Sequence, residues 1–586
     1  MNIASFPKAL KHSFIFAAYE ILSFILTFPL IFNMNSRILT DPTYTGRGDG
    51  GGFIWTFWWI RWAVLDRGEA LLTTDFLTYP TVINLGNVYD NVLTVILSVP
   101  LTAVFDIVTT YNIFVLATLA TCAFTAYLLV FDLTRDRRLA FLAGFTFGFS
   151  PFLLIRATGH LNILSIEWLP LMLMFLLRFV HERKRKDALL AALFFVLNAF
   201  GSWHLAIIAS VLIACLLLYW LIVDRAMILN APFLKSFILF AAVSTLLLTP
   251  FVYPIVKAKI NGEIKTHLVE ASHAFSVPLI GFFVPPASNT FFRYVPWNWK
   301  INEIMHKNIN YVEFTNFLGF VELALLAYWL LRVPKKRSSV FFFFTFVVFG
   351  VLSLGPFLKL IGSESPVIVL PYYMFFYLPF MSFMRTPNRF VIVMILMLAI
   401  LNADAIAYFL KKHGGMWKKR KALAMFSLLF IALFFERMTY PIRTIETKVS
   451  DFYYTIANDP IESYRILDLP LVPSTEYNYL QTVHHKKLLL GGFYDVQNKN
   501  EIFSFIANHA AIIDLQCAIF QRLPGEDHVA FFREQHVKYV ISHVQAQIPN
   551  GEAAGCFYEP QIIEDLFGKE RVVFQDDDIQ VFQMYE

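Results

Sequence analysis

Residues Thr45–Trp62 have the sequence TGRGDGGGFIWTFWWIRW, in which a lone acid, Asp49, stands among glycines. Four tryptophans follow with the spacing of one helical face: Trp55, Trp58, Trp59 and Trp62. Amphipathic aromatic rings concentrate where a membrane meets water. The pattern therefore predicts a helix over Phe53–Asp66 that lies parallel to the outer membrane surface and holds the glycine loop, with Asp49, near the lipid headgroups.

The composition is that of a polytopic membrane protein. Of 586 residues, 57% are hydrophobic and only 16% are charged, and the mean hydropathy is +0.57. These values exclude a soluble globular chain and a disordered one. The net charge of +5 is too small to indicate nucleic-acid binding. Lys8 and Lys11 precede a long apolar run without a small-residue cleavage site, so we expect an uncleaved first span.

Eleven apolar stretches are predicted to cross the bilayer as helices, although a few are short or broken. They are Ser13–Met34, Thr110–Phe131, Leu139–Ile155, Ile163–Val180, Ala188–Phe200, Leu205–Val223, Phe233–Tyr253, Val312–Leu331, Val340–Leu354, Phe390–Leu410 and Ala422–Phe435. A further apolar run, Val92–Val108, decides the sidedness, because counting it as a span reverses the orientation of everything after it.

Loop charges decide between the two orientations. If Val92–Val108 does not cross, four basic clusters fall on the side of Lys8 and Lys11: 135–138, 183–186, 335–337 and 411–421. Cytoplasmic loops carry the excess of Lys and Arg, so this arrangement puts the N-terminus in the cytoplasm. Val92–Val108 is then a second interfacial helix, which Asp90 and Asn91 precede. The loops 35–91 and 254–311, and everything beyond about Thr439, are predicted to lie outside.

The C-terminal region differs in composition from the rest of the chain. A membrane module over 1–440 is predicted to be followed by a small extracytoplasmic α/β domain over 441–586, because strand-like alternation occurs in YRILDLP, HVKYVISH and RVVFQDDDIQVFQMY. The last of these predicts a hairpin that turns at 576–578. Cys517 and Cys556 pair only if this region faces an oxidising compartment.

Five blocks carry a family resemblance: GDGGGFIWTFWWIRWAV, TTDFLTYPTVINLG, SPFLLIRATGHLNILSIEWLPL, MRTPNRF and YNYLQTVHHKKLLLGGF. In order and sidedness they resemble a bacterial branch of the GT-C glycosyltransferases, polytopic enzymes that use polyprenyl-phosphate-linked sugars. The chain departs from two related patterns. It lacks the adjacent acidic pair of protein mannosyltransferases and the WWD-type signature of oligosaccharyltransferases, which argues against a peptide acceptor of those kinds.

The resemblance implies inverting transfer of a sugar from a polyprenyl-phosphate carrier to a hydroxyl of a glycolipid, polysaccharide or protein, at the outer face of a bacterial inner membrane. It implies that Asp49 is the general base, although an Asp in a glycine-rich loop is also a common solvated turn residue. Asp75 is the second candidate carboxylate, with a helix cap or a turn as its alternative. A divalent cation, Mg²⁺ or Mn²⁺, is a candidate cofactor, with Asp49 and His160 as its candidate ligands.

Other polar side chains at predicted outer ends of spans are candidates for binding the substrates. They are Arg156, His160, Asn162, Glu167, His204, Arg385, Arg389, Gln481 and His484. A guanidinium suits a pair of phosphate oxygens, but arginines at a helix start also snorkel, and a lone histidine at a span end is commonly a hydrogen-bonded interface residue. Gln481 and His484 either cover the site or only fold the C-terminal domain.

Two other function classes fit the same topology. One is a transporter or flippase for lipid-linked glycans, and the other is a non-catalytic assembly factor for envelope glycans. A flippase requires charges near mid-bilayer and broken helices in matched halves, whereas the polar candidates here lie at the outer ends of spans. The sidedness therefore favours the transferase.

Overall fold

The structure is a computed structural model of the whole chain. It describes residues 8–40, 48–85, 91–260, 268–306, 311–362, 368–378, 381–413, 419–471, 475–491, 504–506, 508–509, 511–512, 515, 527–544 and 560–586. Cys517, Cys556 and Asp90 lie outside the described residues. Cys122 and Cys215 are buried free thiols, in keeping with their apolar surroundings.

Helices make up most of the first three quarters of the chain. They are α1 (Lys8–Leu26), α2 (Asp49–Trp58), α3 (Val92–Thr102), α4 (Ile107–Thr134), α5 (Arg137–Gly148), α6 (Pro151–Arg156), α7 (Leu161–Leu164), α8 (Trp168–Glu182), α9 (Arg185–Gly201), α10 (Trp203–Val223), α11 (Ala231–Ile260), α12 (Val269–Ala274), α13 (Pro296–His306), α14 (Tyr311–Phe314), α15 (Phe320–Arg332), α16 (Arg337–Ser353), α17 (Pro371–Phe376), α18 (Val391–His413) and α19 (Lys419–Arg437). A π-helical segment, Trp59–Asp66, continues α2.

Each of the predicted spans coincides with a helix, but their lengths differ. Among the described residues, five helical stretches are long and apolar enough to cross a bilayer: Ile107–Thr134, Leu161–Glu182, Trp203–Val223, Ala231–Lys257 and Pro387–His413. Others are shorter, such as α15 with 13 residues. The protein is therefore a membrane protein built on an apolar helical bundle, and the total of eleven spans stays a prediction.

The helix α3 is too short to be a span. Its 11 residues extend about 16 Å at 1.5 Å per residue, roughly half of the hydrocarbon thickness. Asn91 caps its start by accepting a hydrogen bond from the Thr94 backbone N–H. The helix ends at Thr102 rather than at the predicted Val108, because a turn follows and Asp106 caps the next helix, α4.

The centre of the bundle is formed by α18, which packs against α5, α15 and α16. Its residues 391–403 are buried on every side, as expected for a helix that is apolar all round. The helix α4 packs against α1, α5 and α8, while α11 packs on α9 at the periphery of the bundle.

A five-stranded mixed sheet lies in the C-terminal region. Its strands are β5 (Arg465–Leu469), β6 (Lys487–Leu488), β7 (Val537–His543), β8 (Val572–Gln575) and β9 (Ile579–Gln583), in the order β6-β5-β7-β9-β8. The first three strands in that order are parallel, and β9 is antiparallel to both β7 and β8. The hairpin β8–β9 turns at 576–578 as predicted, with Asp576 accepting hydrogen bonds from two backbone N–H groups of the turn.

This C-terminal region contacts the loop that is predicted to be the first external one. The short strands β1 (Arg37–Leu39) and β4 (Thr444–Glu446) pair antiparallel, and β2 (Thr73–Thr74) pairs with β3 (Ile83–Asn84) within the loop. The remaining helices are α20 (Asp451–Ala457), α21 (Thr475–His484), α22 (His528–Glu534) and α23 (Pro560–Phe567). Of these, α21 packs along α2.

The contact between α21 and α2 corrects the prediction of a lipid-facing tryptophan surface. Trp55, Trp58 and Trp59 are all buried. The Trp58 ring stacks on the His485 ring at a centroid distance of 5.5 Å, and the Trp62 ring lies tilted against it at 4.8 Å. The spacing correctly predicted an aromatic helical face, but the face is covered by the C-terminal region instead of by lipid headgroups.

Candidate active site

The N-terminus of α2 holds Asp49, and the three glycines that follow it, Gly50 to Gly52, belong to the helix rather than to a flexible loop. Gly48 has a φ of 54°, which suits glycine best. A Cβ on Gly51 would lie 2.8 Å from the carbonyl oxygen of Thr475, and one on Gly50 would lie 3.1 Å from the Tyr111 hydroxyl. The glycines therefore let α2 approach α21 and α4 closely, which fixes the start of the helix and Asp49 with it.

The turn between α6 and α7 brings two more predicted residues to Asp49. Ser150 caps the start of α6, and Arg156 is its last residue. In the turn that follows, the His160 backbone N–H donates to the Arg156 carbonyl at 2.8 Å. A Cβ on Gly159 would lie 3.7 Å from the Asp49 backbone nitrogen. This turn therefore packs directly on the first residues of α2.

His160 and Asp49 are in direct contact. The His160 Nε2 atom lies 3.3 Å from Asp49 Oδ2, and the imidazole is largely buried. Burial lowers the pKa of His160 to about 4, and Arg156 opposes protonation while Asp49 favours it. A neutral imidazole at physiological pH donates a single N–H, and the position of the carboxylate favours Nε2 as the donor. His160 thereby orients the Asp49 carboxylate.

Glu313, which the sequence did not indicate, is the buried anion of this cluster. Its Oε2 atom accepts from Arg156 Nη2 at 2.7 Å and from Asn388 Nδ2 at 2.7 Å, and its Oε1 atom accepts from Arg389 Nη2 at 3.2 Å. Two of these three donors, Arg156 and Arg389, carry a positive charge, which favours the ionised carboxylate. Glu313 is therefore an ionised counter-ion to both arginines.

The two carboxylates of the cluster differ in access. The Asp49 side chain is 47% exposed, whereas that of Glu313 is 4% exposed. All three strong contacts of Glu313 are donors that hold it as an anion. Asp49 is thus the carboxylate that a reactant can approach.

Several cationic and polar donors of the cluster are not used within the described part of the chain. Donors without a hydrogen-bond partner there are Arg156 Nε, Arg156 Nη1, Arg389 Nε and the Tyr111 hydroxyl. His160 Nδ1, an acceptor when Nε2 carries the proton, is also unpartnered there. Unsatisfied buried donors are costly. Arginine donors in particular match the oxygens of a phosphate, so the cluster has the chemistry of an anion site next to an exposed carboxylate.

Two of the predicted residues near the cluster take other contacts. Arg385 places its guanidinium over the Phe275 ring, 5.4 Å from the centroid, rather than on Glu313. Asp75 forms an ion pair with Lys487 at 2.6 Å. The structure therefore assigns Asp75 to the contact with the C-terminal region and does not bring it to Asp49.

Gln481 and His484 are also not part of the cluster. Both are fully buried. Gln481 accepts from Trp55 Nε1 at 2.7 Å, and His484 accepts from the Lys486 backbone N–H through Nδ1 at 3.0 Å. Burial lowers the pKa of His484 to about 3. In this structure both side chains make packing contacts of α21, and substrate binding by them stays a prediction.

The remaining predicted residues surround the α6–α8 turn. Asn162 accepts a hydrogen bond from the Ile163 backbone N–H through its side chain. Glu167 is buried just before α8. His204 lies at the start of α10, with Nδ1 3.3 Å from Ser202 Oγ. These contacts are local, and none of them joins these residues to Asp49.

Sequence reasoning missed Glu313, Asn388 and Tyr111. Glu313 lies at the outer edge of the predicted span Val312–Leu331, and an acid in such a position is a functional candidate by default. Asn388 lies inside the MRTPNRF block between the two arginines that were considered. No local pattern indicated Tyr111, because only the fold brings α4 to the first residues of α2.

Comparison with solved structures identifies the fold. The mycobacterial arabinofuranosyltransferase AftD has a TM-score of 0.59 at 13% identity, covering 99% of this chain and 40% of its own. ArnT from Cupriavidus metallidurans, bound to undecaprenyl phosphate, has a TM-score of 0.51 at 11% identity and 99% coverage of both chains. The chain has the GT-C glycosyltransferase fold.

A third GT-C structure, the Archaeoglobus fulgidus oligosaccharyltransferase, has a TM-score of 0.50 at 14% identity and covers 91% of this chain and 68% of its own. The chain thus spans about two fifths of the length of AftD and nearly all of ArnT. No protein-family profile matches the chain, and no curated protein matches it in sequence. The observed fold is therefore the one that the GT-C resemblance of the five blocks implied.

Proposed function

We propose that the protein is an inverting glycosyltransferase that moves a sugar from a polyprenyl phosphate to an acceptor hydroxyl at the outer face of the membrane. The observation that carries the proposal is the cluster itself. A half-exposed carboxylate, Asp49, lies beside two buried arginines that retain unused donors. The GT-C fold and the apolar bundle support a membrane-embedded, lipid-linked donor.

In the proposed reaction the acceptor oxygen attacks the anomeric carbon as its proton passes to Asp49. The bond between the anomeric carbon and the phosphate oxygen breaks, and the polyprenyl phosphate leaves with the electron pair. Arg156 and Arg389 stabilise the negative charge that develops on the phosphate. His160 keeps the Asp49 carboxylate in position as a hydrogen-bond donor.

The donor class is supported by a neighbour. ArnT, which shares the fold over nearly its whole length, is bound to undecaprenyl phosphate, and this chain offers unpaired arginine donors that suit such a phosphate. We propose a glycolipid, polysaccharide or protein as the acceptor. With the N-terminus in the cytoplasm, the site and the C-terminal region face the periplasm or the cell exterior.

Two acids within the bundle, Glu322 and Asp404, have structural partners, which supports an enzyme over a transporter. Glu322 pairs with Arg437, and Asp404 accepts hydrogen bonds from Trp329 at 3.0 Å and from Ser339 at 2.9 Å. Transport through the bundle would require intramembrane charges that meet a cargo. The polar groups with unused hydrogen-bonding capacity around Asp49 lie instead at the helix ends.

A divalent cation, Mg²⁺ or Mn²⁺, fits the proposal with two protein ligands. Among the described residues no group of three His, Cys, Asp or Glu side chains gathers to hold a metal. Asp49 and His160 Nε2, 3.3 Å apart, would hold the cation together with phosphate oxygens and water. In that state the imidazole proton would be on Nδ1, and the cation would replace the hydrogen bond between His160 and Asp49. When bound, the cation would add charge stabilisation at the phosphate.

Treatment with EDTA is expected to lower turnover, and added Mg²⁺ or Mn²⁺ is expected to restore it. Unchanged turnover would leave Arg156 and Arg389 as the cations that stabilise the phosphate in the proposed reaction.

The proposal is tested by comparing Asp49→Asn with Asp75→Asn in purified protein. Both variants remove a carboxylate charge from the first external loop and keep its shape. Loss of a general base costs roughly 10²–10⁴-fold in rate, so we expect that loss for Asp49→Asn and a change within about threefold for Asp75→Asn. Product would be detected by mass spectrometry after incubation in detergent with a panel of undecaprenyl-phosphate sugars as donors and of glycolipids, polysaccharides and proteins as acceptors.

Detergent removes the compartments, so a flippase would form no product. Full activity of Asp49→Asn would refute the assignment of the base. Absence of a new glycosidic bond with every donor and acceptor of the panel would count against the enzyme class itself.

A further inference from the structure

The Gln481 side chain on α21 joins three segments of the chain. Its Oε1 atom accepts from Trp55 Nε1 at 2.7 Å, and its Nε2 atom donates to the Phe76 carbonyl at 2.7 Å and the Lys486 carbonyl at 2.9 Å. The side chain is fully buried. Every donor of the amide is used, so rotation of the side chain would leave three buried groups unpaired.

The same helix contacts the start of α2. The Thr475 hydroxyl donates to the Gly48 carbonyl, one residue before Asp49. The Gly51 backbone lies so close to the Thr475 carbonyl that no Cβ would fit. Trp55 lies six residues after Asp49, about 9 Å along the helix axis. Two contacts of α21 therefore bracket the helical turn that holds Asp49.

We propose that α21 of the C-terminal region positions the catalytic carboxylate, with Gln481 and Thr475 as positioning residues. The inference rests on the proposed function of Asp49 as the base. It gives the C-terminal region a part in the chemistry: the region sets where the carboxylate of the membrane site lies. The register of α2 against α21 determines whether Asp49 meets the acceptor hydroxyl.

The arrangement predicts an effect on the chemical step rather than on donor binding. Arg156 ends α6 and Arg389 lies just before α18, and both are held by Glu313. Among the described residues, the ion pairs of Arg156 and Arg389 are with Glu313 and not with α21. A small displacement of α2 would leave the proposed phosphate contacts in place while moving the base, and a misplacement of about 1 Å can cost roughly 10²-fold in rate.

The test uses Gln481→Leu and Thr475→Val in the full-length protein, with Thr482→Ala as the matched control on the same helix. The Thr482 hydroxyl donates only to the Tyr479 carbonyl within α21. With the undecaprenyl-phosphate sugar that supports turnover of the parent protein, we expect kcat to fall about 10–100-fold in Gln481→Leu, with KM for the donor within about threefold. Thr475→Val is expected to lower kcat in the same direction, and Thr482→Ala to match the parent.

Trp55→Phe supplies a double-mutant cycle, because it removes the donor that Gln481 accepts. If the bond between the two side chains positions Asp49, Trp55→Phe combined with Gln481→Leu should lose no more activity than the worse single variant. Hydrogen exchange measured by mass spectrometry gives a readout that does not depend on activity. Amides of residues 50–58 should exchange at least tenfold faster in Gln481→Leu and at the parent rate in Thr482→Ala.

The inference would be overturned if kcat and hydrogen exchange were both unchanged in Gln481→Leu and Thr475→Val. Equal losses in kcat and in donor affinity would also overturn it, as would strictly additive losses in the double-mutant cycle of Trp55 and Gln481. If Gln481→Leu does not accumulate as folded protein, Thr475→Val, which removes one hydroxyl interaction at the start of α21, decides the question alone. Loss of activity in Asp49→Asn together with no effect in these variants would refute the positioning role and leave the proposed base intact. Retained activity in Asp49→Asn would refute the base itself.

Discussion

Glu313 is the residue that allows two arginines to be buried side by side. Arg156 is fully buried and Arg389 nearly so, and an unpaired guanidinium in such a place would carry a large desolvation cost. One carboxylate between them, held also by Asn388, compensates part of that charge. The remaining positive potential and the unused donors are what a phosphate would meet.

Removing the Glu313 charge is predicted to destabilise the protein. Glu313→Gln would leave both arginines without their counter-ion, and breaking a buried ion pair in this way costs about 3–5 kcal/mol. We expect a clear drop in the thermal midpoint measured in detergent. Glu303→Gln, an exposed acid on α13, is the matched control and should leave the midpoint unchanged. A variant at 313 as stable as the parent would contradict the role of counter-ion.

His484 makes stability depend on pH. Burial lowers its pKa to about 3, whereas a histidine in the unfolded chain titrates near 6.5. Between these values the unfolded chain binds a proton that the folded protein does not, so the free energy of unfolding falls as the pH drops below about 6.5. From pH 7 to pH 5 this histidine alone accounts for about 2 kcal/mol.

The drop in thermal midpoint between pH 7 and pH 5 is therefore expected to be smaller in His484→Gln than in the parent. A glutamine side chain can still accept the hydrogen bond from the Lys486 backbone N–H. His528→Gln, at the start of α22, serves as the control and should show the drop of the parent. An equal pH dependence in His484→Gln and the parent would rule out this contribution.

At the scale of elements, the close contact between α2 and α21 depends on a glycine of α2, Gly51, which has no side chain. Alanine in place of a helical glycine usually stabilises by about 1 kcal/mol. At Gly51 the sign should reverse, because a Cβ would lie 2.8 Å from the Thr475 carbonyl oxygen, and overpacking costs about 1–3 kcal/mol.

We therefore expect Gly51→Ala to lower the thermal midpoint. The comparison is Gly159→Ala, where the nearest atom would lie 3.6 Å from the new Cβ, an ordinary contact. We therefore expect the free energy of unfolding of this variant to stay within about 1 kcal/mol of that of the parent. Should Gly51→Ala be more stable than the parent, the two helices do not approach as closely as described.

The elements also show how far the sequence leads. Apolar runs are local information, so each predicted span falls on a helix, and loop charges excluded α3 as a span. The tryptophan spacing predicted an aromatic helical face but wrongly assigned it to the lipid headgroups, because periodicity gives the direction of a face and not its partner. Asp49, Arg156, His160 and Arg389 were found from their blocks, whereas Glu313 comes 157 residues after Arg156 and meets it only in the fold.

At the scale of the whole molecule, one side of the bundle holds all the parts of the proposed reaction. The pairing of β1 with β4, the ion pair of Asp75 with Lys487 and the two hydrogen bonds of Arg67 to Glu462 join the C-terminal region to the first external loop. The loop and this region therefore lie on the same side of the membrane. The basic turn between α8 and α9 is predicted to lie on the opposite side, in the cytoplasm.

This sidedness is tested by labelling single cysteines in cells with a membrane-impermeant maleimide, in a background with all four native cysteines replaced. Lys569→Cys, at a side chain 80% exposed in the C-terminal region, is expected to react in intact spheroplasts. Lys184→Cys, at a side chain 67% exposed in the α8–α9 turn, should react only after permeabilisation. A carrier lipid whose sugar is outside the cell membrane can meet Asp49 only in this orientation. The reverse labelling pattern would place the cluster in the cytoplasm, where nucleotide-sugar donors are available. It would therefore contradict the proposal of a lipid-linked donor.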